Sequence, residues 1–195
     1  MKKLVLLGGG GHAKSCIDVI EQEGKYTIVG ILDKKEMLGE KVLGYEVIGT
    51  DEDIAEYVEL GWYFLISVGQ LTSAQIRKKL ALTLQKAQAK IATAVSPRAY
   101  VSKYASIGEG SIVMHDALVN AGASVGKHCI INTKALLEHD VIVESFCHIS
   151  TSAVLNGGVH LKEGSFFGSN AVSKEYAKSA DDAFIKAGSV FKGVQ

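Results

Sequence analysis

From Val95 to Phe167 every sixth residue is bulky and apolar: Val95, Val101, Ile107, Val113, Val119, Val125, Ile131, Leu137, Val143, Ile149, Leu155, Leu161 and Phe167. Two residues ahead of these positions stand small or compact side chains, among them Ala105, Ser111, Ala117, Cys129 and Ala153. A period of six matches neither the 3.6 of a helix nor the 2 of a strand. It matches a chain wound into a triangular prism, one short strand per side and one apolar side chain per side turned inward. Such self-similarity marks a parallel β-helix. Three hexads complete a turn, so residues eighteen apart stack, and the region holds about five coils. The series fades at Ser173 and Ser179 and returns at Ile185 and Phe191. That predicts a loop or irregular coil over residues 174–182. Apolar outward positions on a flat-sided prism favour side-by-side association, as a homotrimer.

The only proline, Pro97, divides the chain. Residues 1–95 alternate strand and helix signals, and residues 96–195 carry the hexads. Residues 3–7 form a short apolar run that ends in four glycines and reads as a buried strand. Residues 12–23 have helical spacing (Ala13, Cys16, Ile17, Ile20) and stop at Gly24. Residues 27–32 and 62–68 read as two more strands, and residues 41–48 as an extended segment or hairpin. Thr50 with Asp53 caps a helix to Glu59, and Thr72 with Gln75 frames another to about Lys86. Residues 91–95 read as a last strand leading into the repeats. The fold class is therefore α/β plus all-β: a small Rossmann-like parallel βαβ domain followed by a β-helix of hexapeptide repeats.

Lys+Arg and Asp+Glu balance at 21 each, which gives no overall electrostatic case for nucleic acid or an anionic membrane. No apolar stretch reaches the ~18 residues of a membrane helix. The short run before the glycines lacks the core of a signal peptide. Cys16, Cys129 and Cys147 form no pairing framework, and the last two fall on the small-residue position of the hexad. These features predict a cytoplasmic protein. The six histidines offer no metal-ligand spacing, so no metal site is expected.

Two segments carry candidate chemistry. Gly8-Gly9-Gly10-Gly11-His12-Ala13 follows a strand and opens a helix. Glycines there let backbone N–H groups approach a phosphate at the helix N-terminus. The run satisfies G-x-G-x-x-A, with Asp33 twenty residues past Ala13. It is compatible with a nucleotide-sugar ligand, with NAD, or with nothing more than a tight turn. Gly69-Gln70 closes the third strand on the same edge, so Gly10, Gly11, His12, Asp33, Lys34 and Gly69 converge on paper. The second segment is Glu138-His139-Asp140. Two residues past inward Leu137, His139 falls at an exposed corner, between Ala121 and Gly157 one coil away. A neutral imidazole is a natural general base, and a neighbouring carboxylate stabilises its charged form. An ordinary corner histidine has the same spacing. Gly157-Gly158 reads either as a tight turn or as room for a thin pantetheine arm beside the base. His148 and His160 each precede an inward residue and are expected to face outward.

Nearly the whole chain resembles the bacterial hexapeptide-repeat sugar acetyltransferases, the bacillosamine-pathway UDP-amino-sugar N-acetyltransferases and sialic acid O-acetyltransferases. The resemblance lies in GGGGHA, the LDK after the second strand, YEVIGTDEDI, SVGQ followed by QIRKKL, and above all LLEHDVIVESFCHIS. It implies a left-handed β-helix whose trimer binds acetyl-CoA between subunits, and an N-terminal domain that binds the nucleotide-linked sugar. It implies His139 as general base with Asp140 supporting it. Gly10, Gly11, His12, Asp33, Lys34 and Gly69 would contact the substrate, and His148, Gly157, Ser169 and Ala187 coenzyme A. Lys34 stands where an acid is common and Ala187 where glycine is usual, and the segment 173–182 departs from the tidy hexads of relatives. The implied activity is acetyl-CoA-dependent N-acetylation of a UDP-amino-sugar. O-acetylation of a sialic-acid-like sugar and a non-catalytic nucleotide-sugar-binding trimer are the other readings.

Overall fold

In the computed structural model, which describes residues 1–194, each hexad contributes one two-residue strand, and strands eighteen residues apart pair in parallel. Ile130 pairs with Ile112 on one side and His148 on the other. Leu136 pairs with Leu118 and Val154. The prism has three parallel sheets of six, six and four strands. The sixth-residue series lines its axis: Val113, Ile131, Leu137, Ile149, Leu155, Leu161 and Phe167 are fully buried.

The corners explain the other half of the hexad. Every sixth residue from Gly110 to Gly188 has a positive φ, and most are not glycine; Asp116, Lys134, Asp140 and Asn170 all lie between 55° and 60°. One left-handed residue per corner turns the chain onto the next side, a conformation that Asp and Asn tolerate better than most side chains.

The expected irregular coil at 174–182 does not form. Strand Val172–Ser173 keeps its place in its sheet, and Lys178 bridges to His160. Ser173 and Ser179 occupy the inward positions and are buried. Their hydroxyls accept the main-chain N–H groups of Asn156 and Lys162, each at 2.8 Å. Phe167 in the same coil lies edge-on to Phe191, at 5.9 Å between ring centres. Two phenyl rings occupy axial volume that the small serines leave.

The chain divides into two units, residues 1–69 with 75–94, and residues 70–74 with 95 onward. In the first unit, β1 (Lys2–Leu7), β2 (Tyr26–Leu32), β3 (Lys41–Val42), β4 (Tyr45–Gly49), β5 (Tyr63–Ile66) and β6 (Lys90–Ile91) form one sheet in the order β3-β4-β2-β1-β5-β6. Only the β3–β4 hairpin is antiparallel. Its helices are α1 (Gly11–Glu23), α2 (Ile54–Glu59) and α3 (Gln75–Lys86). A Thr50–Asp53 capping box forms on a short 3-10 turn ahead of α2. α3 begins only at Gln75, because residues 70–74 leave the first unit and join the second. None of the described helices is long and apolar enough to cross a membrane.

Candidate active site

His139 and Asp140 sit together on one corner of the prism. His139 Nδ1 lies 2.9 Å from Asp140 Oδ2, with side chains 56% and 71% exposed. A carboxylate only accepts, so Nδ1 carries the proton and Nε2 of the neutral ring is the acceptor. The left-handed φ of Asp140, 60°, belongs to its corner and is shared by the other corners. The glycines around the pair follow from it. A Cβ on Gly157, one coil above, would stand 2.6 Å from His139 Nε2, and one on Gly122, one coil below, would collide with Asp140 Oδ1. The space foreseen at Gly157 for a pantetheine arm is thus taken by the imidazole itself. Gly158 in turn seats the ring of Tyr176.

The remaining expected coenzyme contacts separate. Ser169 and Ala187 stack on a different corner, where the Gly188 N–H donates to Ser169 O at 2.8 Å and Ser150 Oγ lies 2.8 Å from Ser169 Oγ. Ser169 is half-buried and Ala187 exposed. His148 is more enclosed than its spacing suggests. Its ring leaves the prism outward as expected but is 5% exposed, packed edge-on against Phe166 and hydrogen-bonded to Gln70 of the 70–74 segment. Nδ1 donates to Gln70 O at 2.6 Å, and Nε2 faces the Asn132 amide at 3.0 Å. Both ring nitrogens are engaged, and the Nδ1 bond ties the segment that carries Gln70 to the β-helix. His160 also turns outward, but pairs with Glu144 at 2.7 Å.

In the first unit the strand ends do converge. β2, β1 and β5 are neighbours, and their carboxyl ends carry Asp33 and Lys34, the glycine run, and Gly69. Gly8, at φ 102°, is needed because a Cβ would meet Val68. Gly10 and Gly11 are different: no atom lies within 4 Å of where their side chains would start, and both are exposed. Gly10 caps α1 with no side-chain hydrogen bond and no acid in the first turn. The positive end of the helix is left open, as an anion site requires. Asp33 shapes this loop: its carboxylate accepts the Gly9 N–H at 2.6 Å and the Lys34 N–H at 2.7 Å. Burial pushes the nearby Asp51 carboxyl up; Lys79 opposes the shift and the Asp33 charge adds a smaller push. Lys34 is exposed. His12 lies against Gly69, where a Cβ would stand 3.3 Å from that of His12.

Arg77 was absent from the sequence-based candidates. It is 1% exposed and donates to Val68 O at 2.6 Å, fixing the end of β5 beside Gly69 and Gly8. Its signal was available: Arg77, Leu80, Ala81 and Leu84 form the buried stripe of α3. A charge at a core position of an amphipathic helix announces a buried partner.

Comparison with known proteins bears on both units. Residues 3–84 match the family described as the PglD N-terminal domain. The acetyltransferase domain of PglB from Neisseria gonorrhoeae FA1090 is 31% identical and superposes with a TM-score of 0.91, over 99% of this chain and 92% of that one. The chain belongs to the sugar acetyltransferase family. Within that family, PerB from Caulobacter crescentus, solved in complex with CoA and GDP-perosamine, is 30% identical with a TM-score of 0.91 over 99% of this chain and 90% of that one. The PglB domain has also been solved in complex with acetyl coenzyme A. A curated family member, the UDP-N-acetylbacillosamine N-acetyltransferase of Bacillus subtilis, is 36% identical over 117 residues. That match spans about half (52%) of the relative's length.

Proposed function

We propose that this chain transfers the acetyl group of acetyl-CoA to the amino group of a nucleotide-linked amino sugar, with a UDP-sugar as the acceptor. The observation that carries the reading is the His139–Asp140 pair. It offers an exposed imidazole whose Nδ1 is held by a carboxylate and whose Nε2 is free to accept. Nε2 takes a proton from the amine as its nitrogen attacks the thioester carbonyl carbon. The C–N bond forms, the C–S bond breaks, and the proton leaves with the coenzyme A thiol. Asp140 balances the imidazolium while it exists and keeps the ring in one tautomer.

The open N-terminus of α1, Gly10 and Gly11, with His12, Asp33, Lys34 and Gly69 around it, receives the nucleotide-sugar phosphates. Residues 1–95 act as the acceptor-binding domain and 96–195 as the acyltransfer domain. Ser169 and Ala187 line the path of coenzyme A. They lie on a different edge from His139, so a donor that meets both is best accommodated between copies of the chain. One sheet face carries an outward stripe of Tyr100, Leu118, Leu136, Val154, Val172 and Val190, half-buried at most or exposed. A continuous apolar stripe of this kind favours association. The assembly proposed is a cytoplasmic homotrimer with donor clefts between its protomers.

The test is incubation with acetyl-CoA and a panel of UDP- and GDP-linked amino sugars, followed by mass spectrometry. The expected product gains one acetyl group that survives mild alkali, as an amide does. An alkali-labile ester would move the reading to O-acetylation. No acetylation, with a melting-temperature shift for nucleotide sugar but none for acetyl-CoA, would support the non-catalytic reading instead.

A further inference from the structure

The His139–Asp140 pair is tied to the coil beneath it by a closed ring of hydrogen bonds. Asn120 Nδ2 donates to Glu138 Oε2 at 2.8 Å. The same oxygen accepts the His139 main-chain N–H at 3.2 Å. His139 Nδ1 donates to Asp140 Oδ2 at 2.9 Å. The Asp140 N–H donates to Ala121 O at 3.2 Å. The Ala121 N–H donates to Asn120 Oδ1 at 2.8 Å, which returns the circuit to its start. The orientation of the Asn120 amide follows from its partners, since a carboxylate takes only donors and a main-chain N–H takes only an acceptor. Asn120 and Glu138 are both half-buried, while the imidazole they support is exposed.

Resting on the function proposed above, we propose that Asn120 and Glu138 are positioning residues for the base. A two-residue corner with an exposed imidazole has little packing to hold it. Main-chain bonds to neighbouring coils fix the backbone of every corner, but they do not select the angle at which His139 leaves it. The Glu138 carboxylate clamps the His139 N–H, and Asn120 clamps Glu138 from a coil that carries none of the reacting atoms. Together they hold Nδ1 on Asp140 and so keep Nε2 unprotonated and aimed outward. A displacement of a few tenths of an ångström at this point changes the attack geometry, to which rate is sensitive.

Three variants separate positioning from folding. Glu138→Gln keeps an acceptor oxygen for His139 N–H and for Asn120. Glu138→Ala removes it. Asn120→Asp keeps the acceptor for Ala121 N–H but sets a carboxylate against Glu138. The expected result is a fall in kcat of about tenfold or more for Glu138→Ala and Asn120→Asp. KM for both substrates should stay unchanged, and Glu138→Gln should remain near wild type. A readout independent of substrate is the imidazole 15N spectrum. His139 should be the Nδ1–H tautomer in wild type and Glu138→Gln, and should gain the Nε2–H tautomer in the two damaged variants. Unchanged kcat and tautomer in Asn120→Asp would overturn the proposal. So would losses that merely track the melting temperature and are not rescued by Glu138→Gln. If wild type acetylates no amino sugar, the proposed function fails, while the tautomer comparison still decides the positioning role.

Discussion

The imidazole of His139 occupies the space that a side chain on Gly157 would take: a Cβ there would stand 2.6 Å from Nε2 and 2.7 Å from Cε1. The glycine and the histidine are eighteen residues apart and therefore stack in adjacent coils, about 4.8 Å from one to the next. Gly157→Ala pushes the ring away from this position without disturbing the axis of the prism. Its kcat is expected to fall about 10–100-fold with the melting temperature nearly unchanged. Steady-state kinetics alongside calorimetry checks it, and a fully active Gly157→Ala would show that the ring position does not matter.

The inward serines give a prediction that runs against the hexad pattern. Ser173→Leu restores the apolar series on paper, yet Phe167 and Phe191 occupy the axis there, and the Ser173 hydroxyl holds the Asn156 N–H. Overpacking and the lost hydrogen bond are expected to destabilise by about 1–3 kcal/mol. Chemical denaturation of the variant measures it; a gain in stability would mean that the coil has free volume.

The hexads were legible because one-dimensional spacing maps directly onto the axis. Serines 173 and 179 were not, because the edge-on meeting of Phe167 and Phe191 across the axis follows from the winding and not from the spacing alone. The burial of His148 is hidden for the same kind of reason: Gln70, whose carbonyl its Nδ1 reaches, lies 78 residues away and shows no periodicity. Thr72 and Gln75 have the spacing of a capping box, but residues 70–74 are recruited to the β-helix, and tertiary contact outweighs a local capping preference. At the candidate site, adjacency alone brought His139 and Asp140 together, whereas the supports around them, Asn120 and Gly122, come from a coil below.

Glu144 predicts an acid limit to stability. Partial burial alone would raise its carboxyl, but hydrogen bonds from His160, Lys162 and the Glu163 N–H outweigh that and hold it below its ordinary value. A lowered folded value stabilises the native state above the ordinary value of 4.5, and that contribution is lost as pH falls through 4.5 toward the folded value. Glu144→Gln should cost about 0.5–1 kcal/mol at neutral pH and flatten this part of the acid slope. Urea titrations between neutral pH and the acid range measure both; an unchanged slope would remove Glu144 from the account.

All three cysteines are buried and unpaired in disulfides. Burial pushes the Cys16 thiol up to about 12 and raises Cys147 as well. Cys16 and Cys147 therefore present almost no thiolate, and burial screens all three from a donor, so an acyl-cysteine intermediate is not expected. The native protein should resist alkylation at all three and take up three labels once unfolded. Mass spectrometry after incubation with acetyl-CoA alone should find no acetylated cysteine, and a stable acetyl-cysteine adduct would replace direct transfer with a two-step route.

The most direct measurement is acetyl transfer by His139→Ala from acetyl-CoA to the nucleotide-linked amino sugar that the wild type accepts. Loss of nearly all kcat, with oligomeric mass and acetyl-CoA binding unchanged, is the predicted result. Turnover near wild type in that variant would contradict the assignment of the base and the chemistry built on it.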